Sequence, residues 1–255
     1  MMNKVVEKAS RGEVVFGTWI TINSPEVSEA ISTLPLDWVV IDMEHAPLDI
    51  YDVELILMGL KGSGVTGIVR VPWNDPVYIK RVLDIGAHGV LVPWVSTYEE
   101  ALAVERSVLY PPHGIRGVGP RRATMYGSIP SAEYYKKYLE DLVVLVQIET
   151  AKAVENLEKI LEVKTITGIF VGPSDLSASL GVFGDRNSPV LLGSLEKIPR
   201  IARGKKPLIG IMAYSPEEAI RAIKMGYNMI TLSSDMANLL RGIRSFLQDA
   251  LSALR

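Results

Sequence analysis

The sequence predicts an α/β protein, a single-domain (β/α)₈ TIM barrel, on three observations. Eight short apolar runs alternate with helical patterns along 255 residues. Most of these runs are apolar at consecutive positions, as parallel strands covered on both faces require. No Gly-x-Gly-x-x-Gly turn follows the first run, which disfavours the open doubly wound sheet, and eight alternations in about 250 residues suit the closed barrel.

Taken in order, the predicted strands are VVFGTWI from Val14, WVVID from Trp38, GIVRV from Gly67 and GVLVP from Gly89, then LVVLVQI from Leu142, GIFVG from Gly168, PLIGIM from Pro207 and MITLS from Met229. Between them lie PEVSEAIST, IYDVELILMGLKGS, PVYIKRVLDIG, TYEEALAVERSVL, AKAVENLEKILE and PEEAIRAIKMG. Several of these open on a Ser, Thr, Asp or Asn ahead of the apolar stripe, or with Pro in the first turn, the usual start signals of a helix. ANLLRGIRSFLQDALSALR supplies the last helix. Two stretches break the regularity. The connection from Ser96 to Asp141 is long and holds the Gly-, Pro- and Arg-rich YPPHGIRGVGPRRATMYG; long connections in compact domains are often functional. The segment from Asp185 to Lys206 has weak periodicity.

Composition narrows the function. Hydrophobic residues make up 48% and charged ones 22%, ample for a core. A net charge of −2 argues against a nucleic-acid partner. The absence of cysteine removes disulfides, thiolate metal sites and a cysteine nucleophile, and suits a cytoplasmic protein. MMNKVVEKASRGE lacks the apolar core of a signal peptide, and no apolar run approaches the roughly 20 residues that span a bilayer, so no membrane association is expected.

Active sites of such barrels are built where the strands end. Strand two runs into Asp42, Glu44 and His45, strand three into Arg70, strand five into Gln147 and Glu149, and strand six, through a Gly-Pro turn, into Asp175. Each has a plainer reading: Glu149 and Asp175 as acids at helix starts, Asp42 and His45 as a local turn, Arg70 as a rim ion pair. Their convergence on one rim carries the functional reading. Glu149 and Asp175 are hard oxygen donors suited to Mg²⁺ or Mn²⁺, with Co²⁺ as a further candidate. Such an ion can chelate a 2-keto acid and act as a Lewis acid on the developing enolate. Arg70 suits the same negative charge. His45 is the best proton shuttle, with Asp42 placed to orient its imidazole. The alternative route through a lysine Schiff base lacks its lysine: Lys164 and Lys206 precede their strands, and Lys152 lies in the helix after strand five. His88 and His113 are expected to be structural or solvated. Arg116, Arg121 and Arg122 form a basic cluster whose sharper reading is a clamp for a distal carboxylate or phosphate, with Arg122 as the candidate substrate-binding residue.

The blocks DWVVIDMEHAPLD, IVRVPWNDPVYIKRVLDIGAHGVLVPWVSTYEEA, YPPHGIRGVGPRRA, VQIETAKAVENLEKI and GIFVGPSDLSASLG, in this order, cover nearly the whole chain. They resemble the class II pyruvate aldolases acting on 4-hydroxy-2-oxoheptanedioate and 2-keto-3-deoxy-glucarate, a family with a branch like the citrate lyase β subunit. The resemblance implies Glu149 and Asp175 as metal ligands, His45 oriented by Asp42 as acid/base, and Arg70 as the group that binds pyruvate. It also implies Gln147 beside the metal, backbone N–H groups of Ser174 and Asp175 on the pyruvate carboxylate, and Asp84 near the subunit boundary and mouth. It further implies a homohexamer, a trimer of dimers, with the C-terminal helix (about 236–254) exchanged between subunits. The loop from Arg121 to Tyr126 is expected to face the aldehyde. TLSSD after strand eight departs from the family's glycine-bearing turn. A lyase for malyl- or citramalyl-CoA and a non-catalytic keto-acid-binding barrel are the competing functions.

Overall fold

Alternation of apolar strand and amphipathic helix closes on itself in the computed structural model, which describes residues 3–254; Met1, Met2 and Arg255, the last residue of the predicted C-terminal helix, lie outside the described residues. The strands are β1 (Val15–Ile20), β2 (Trp38–Asp42), β3 (Thr66–Arg70), β4 (Gly89–Val92), β5 (Val143–Ile148), β6 (Gly168–Val171), β7 (Leu208–Ala213) and β8 (Met229–Ser234). Each is parallel to its neighbours in sequence order, and β8 pairs with β1. The α-helices are α1 (Lys4–Ser10), α2 (Pro25–Ser32), α3 (Ile50–Gly59), α4 (Pro76–Asp84), α5 (Tyr98–Val108), α6 (Ser131–Lys137), α7 (Ala151–Glu155), α8 (Leu157–Ile160), α9 (Pro173–Ser179), α10 (Pro189–Ala202), α11 (Pro216–Met225) and α12 (Asp235–Ser252).

Helix starts fall where the side chains supply acceptors for unpaired first-turn N–H groups. Ser24, Asp75, Thr150 and Ser215 each accept such a bond, and Thr97 with Glu100 forms a reciprocal capping box. The core has two layers. One lies between strands and helices. The other fills the barrel with Trp19, Trp38, Val40, Ile68, Leu145 and Phe170. Small residues make room for large ones: a Cβ on Gly17 would strike the Trp38 ring at 2.5 Å, and one on Gly210 the Phe170 ring at 2.4 Å.

Three elements were not legible as helices in the sequence. Helix α1 packs Val5, Val6 and Ala9 into the interior core beside the strand starts, so it stoppers the N-terminal end of the barrel. Helix α6 lies within the long connection. The weakly periodic segment after Asp185 holds the 14-residue α10, whose Pro189 and Pro199 obscure its pattern; its stripe Leu191, Leu195, Ile198 and Ala202 is nonetheless buried.

Candidate active site

Period-two alternation along each strand decides which side chains enter the barrel. On β2 the inward series Trp38, Val40 continues to Asp42; on β3, Ile68 continues to Arg70; on β5, Val143 and Leu145 continue to Gln147 and then Glu149. The inward face is therefore apolar at depth and polar at the C-terminal rim. There it opens into a cavity of about 400 Å³ whose wall includes Trp19, Asp42, His45, Arg70, Gln147 and Asp175. Ser174 and Tyr214 also line it.

Arg70 organises one side. Its Nε and Nη2 donate to the two Asp42 oxygens at 2.9 and 2.8 Å, its Nη1 lies 2.9 Å from Glu44 Oε2, and its guanidinium stands 4.3 Å over the Trp19 ring. This arrangement corrects one expectation. Asp42 does not orient the His45 imidazole: its oxygens are taken by Arg70 and by the backbone N–H groups of Glu44 and His45. It therefore fixes the turn that carries His45, while the ring, 64% exposed, points into the open cavity with Nε2 4.0 Å from Glu44 Oε2. Glu44, to which the sequence assigned no role, is buried between Arg70 and the Trp94 indole. Burial pushes its carboxyl up, against the pull of Arg70.

Glu149 is 1% exposed. Its Oε1 accepts the Trp94 backbone N–H at 2.6 Å. Its Oε2 lies toward Gly172, where an added Cβ would sit 2.9 Å away, so the glycine leaves the space this carboxylate occupies. Burial pushes the Glu149 carboxyl up to about 7; the Trp94 N–H opposes this, while the charges of Glu44 and Asp175 add to it. Asp175 is thus close enough for its charge to act on Glu149. At the first turn of α9, Ser174 and Asp175 follow Pro173, and their N–H groups are among those a helix leaves without an internal acceptor.

The donor set fits a hard divalent cation. Asp42 and Glu44 pair with the Arg70 guanidinium, and buried Glu149 is acted on by the charges of Arg70, Glu44 and Asp175, so four acids share one nearby cation. Buried Gln147 Oε1 has no hydrogen-bond partner, which a hydrated ion would satisfy. Among the described residues no group of three or more His, Asp or Glu side chains has the geometry of a metal cage. Two carboxylates are what Mg²⁺-type ions use when water and substrate complete the shell.

The loop arginines lie elsewhere. The long connection follows α5, so it emerges at the end of the barrel where strands begin. Arg122 donates to the carbonyls of Leu57 and Ile85, near the C-terminal ends of α3 and α4. Asp84, the last residue of α4, pairs with buried Arg116 at 2.7 Å, and Arg116 stands 4.6 Å over the Tyr110 ring. Within its own chain the predicted clamp at Arg122 is therefore overturned: the guanidinium seals helix ends, and the loop from Arg121 to Tyr126 does not face the mouth. Nor does Asp84 reach the mouth of its own barrel. His88 sits at this same end, accepting the Gly67 N–H; burial pushes its imidazole pKa down, in keeping with a structural role. In the TLSSD turn, Asp235 accepts the N–H groups of Thr21 and Ile22, tying the end of β1 to α12.

Comparison with known proteins agrees with this geometry. The model of the HpcH/HpaI aldolase/citrate lyase family matches residues 15–241. A relative from Salmonella paratyphi C, named 5-keto-4-deoxy-D-glucarate aldolase, is 38% identical over 235 residues, 92% of this chain and 91% of its own. Two solved structures superpose throughout: an HpcH/HpaI aldolase/citrate lyase family protein from Burkholderia cenocepacia (TM-score 0.92, 32% identity, 98% of this chain and 99% of that one) and an HpcH/HpaI aldolase from Desulfitobacterium hafniense (TM-score 0.90, 29% identity, 98% and 97%). A closed eightfold barrel with acids, guanidinium and imidazole at one rim, matched from β1 into α12, has one reading: the chain belongs to the HpcH/HpaI aldolase/citrate lyase family.

Proposed function

We propose that this chain is a divalent-metal-dependent aldolase that reversibly cleaves a 4-hydroxy-2-keto acid to pyruvate and an aldehyde. The observation that carries the reading is the composition of the rim cavity. Its wall holds Asp175, one guanidinium and one open imidazole and, among the described residues, no lysine, and Glu149 is buried close enough to feel the charge of Asp175. A Schiff-base route has no nucleophile there. Glu149 and Asp175 would hold Mg²⁺ or Mn²⁺, with Co²⁺ the remaining candidate. When bound, the ion supplies Lewis-acid stabilisation of the negative charge that develops on the keto acid.

The chain's own residues supply the rest. The Ser174 and Asp175 N–H groups receive the substrate carboxylate. Arg70 keeps N–H donors beyond those used by Asp42 and Glu44, and these serve the 2-oxo oxygen as charge builds there. Trp19, stacked on Arg70, keeps water from that guanidinium. His45 takes the proton of the 4-hydroxyl; the C3–C4 bond breaks, its electron pair forms the C2–C3 double bond and leaves charge on the 2-oxo oxygen, and the aldehyde departs. His45 then returns the proton to C3, giving pyruvate.

The name of the Salmonella relative makes 5-keto-4-deoxy-D-glucarate the first substrate to test. Numbered from its other end, it is a 2-keto-3-deoxy acid with a 4-hydroxyl. Pyruvate release is expected from it or from a related 4-hydroxy-2-keto acid, abolished by EDTA and restored by Mn²⁺. Cleavage that survives full chelation would overturn the reading. Malyl-CoA in the same panel tests the thioester alternative, which the placement of Arg116 and Arg122 disfavours. Pyruvate binding with no cleavage of any substrate would favour a non-catalytic barrel.

The same proposal extends to assembly. Helix α12 exposes Met236, Leu239, Leu240, Ile243, Phe246, Leu247 and Leu251 at three- and four-residue spacing, an apolar stripe of the kind that a second copy covers. This supports a homo-oligomer, a hexamer with exchanged C-terminal helices, and sedimentation analysis returning a monomer at micromolar concentration would refute it.

A further inference from the structure

We propose that Trp94 is a positioning residue of the metal centre, holding Glu149 with its backbone amide and Glu44 with its indole N–H. The inference rests on the reading of Glu149 as a metal ligand. Trp94 lies two residues beyond β4, where the strand ladder has ended and its N–H has no strand partner. Its φ of +58° is a left-handed conformation that side-chain-bearing residues seldom adopt. That turn takes the chain off the line of the strand and sets the N–H on Glu149 Oε1 at 2.6 Å. A strained non-glycine backbone at a cluster of buried acids is the pattern expected where geometry is held for function.

The side chain does the complementary work. Its Nε1 donates to Glu44 Oε1 at 3.2 Å, while Glu44 Oε2 lies 2.9 Å from Arg70 Nη1. Arg70, Glu44, Trp94 and Glu149 thus form one continuous chain of polar contacts, with Trp94 as the link between the two glutamates. The Trp73 ring, 6.3 Å away and tilted by 31°, packs against the indole and limits its rotation. Glu44 and Glu149 carry like charges in a desolvated rim, and each would gain by turning away from the other. Donors on one rigid residue prevent that and leave Glu149 Oε2 turned toward Gly172. Such supporting contacts commonly change metal affinity by 10- to 100-fold when removed.

The test is Mn²⁺ affinity of the metal-free enzyme, read from the free-ion electron paramagnetic resonance signal with no substrate present. Trp94→Phe keeps the ring against Trp73 and loses the indole N–H; it is expected to raise the Mn²⁺ dissociation constant by about 10-fold or more. Trp94→Gly relieves the positive φ and keeps the amide on Glu149, so it should fold at least as readily and weaken binding similarly. In a Glu44→Ala background the indole has no acceptor to lose, and Trp94→Phe should then shift the constant by less than about twofold. A purely structural tryptophan would weaken binding equally in both backgrounds, and that result overturns the proposal. So does wild-type affinity in Trp94→Phe when Glu149→Gln has lost binding. Unchanged affinity in Glu149→Gln itself would instead remove the metal reading beneath it.

Discussion

Replacing Glu149 by Gln is expected to abolish Mn²⁺ binding and to lower kcat for pyruvate release by at least about a thousandfold, the several kcal/mol that a Lewis acid supplies. The fold should survive. Gln is isosteric, its Oε1 can still accept the Trp94 N–H, and it removes one of the buried like charges that now act on each other. The melting temperature of the metal-free variant should therefore match or exceed that of the wild type, the signature of a site held at the expense of stability. Glu149 also sets a pH dependence. Its carboxyl titrates at about 7 in the metal-free protein, and only the deprotonated form is a ligand. Below that pH a proton competes with the ion, so the apparent affinity for Mn²⁺ should fall about tenfold per pH unit and level off above it, with a proton released on binding. Calorimetric titrations at several pH values in wild type and Glu149→Gln would measure both effects. Undiminished turnover in the variant refutes the assignment.

Arg70→Ala should damage stability and catalysis together. It leaves Asp42 and Glu44 in the rim without their guanidinium, and removing one partner of a buried ion pair costs about 3–5 kcal/mol. The urea midpoint should drop accordingly, and the turn that Asp42 imposes on His45 loses its anchor. Turnover should fall by more than about a hundredfold, since Arg70 also faces the developing charge. Arg70→Lys separates the two roles. A single ammonium restores charge but cannot make the two parallel bonds to Asp42. Lysine is expected to recover part of the lost stability and little of the activity. An alanine variant with an unchanged urea midpoint would show that the pairs with Asp42 and Glu44 contribute nothing to the fold.

The site was legible where chemistry coincided with strand periodicity. Asp42, Arg70, Gln147 and Glu149 each continue an inward apolar series by steps of two, so the pattern that placed Val40 and Leu145 in the core also placed the first three in the cavity wall and Glu149 buried beside it. The role of Glu44, a rim acid by sequence, and the part played by Trp94 were not legible, for different reasons. Glu44 gains its meaning from Arg70, 26 residues away, and Trp94 acts through its main chain, which no side-chain type announces. Asp42 was paired with His45 on proximity in sequence, but a carboxylate offered a buried guanidinium makes two charge-assisted bonds there and leaves the imidazole free. Arg122 was assigned to the mouth by residue type, although its position after α5 sends the loop to the opposite end.

By itself the sequence determined the eightfold alternation, the apolar depth and polar rim of the barrel, and the absence of a usable lysine, because these follow from local periodicity and residue chemistry. Only the tertiary structure decided which acid Arg70 grips, that Trp94 bridges two glutamates, and which end of the barrel the arginine loop covers. Those choices depend on distances between residues far apart in the chain, and on the cost of leaving a buried charge without a partner once the barrel has closed around it.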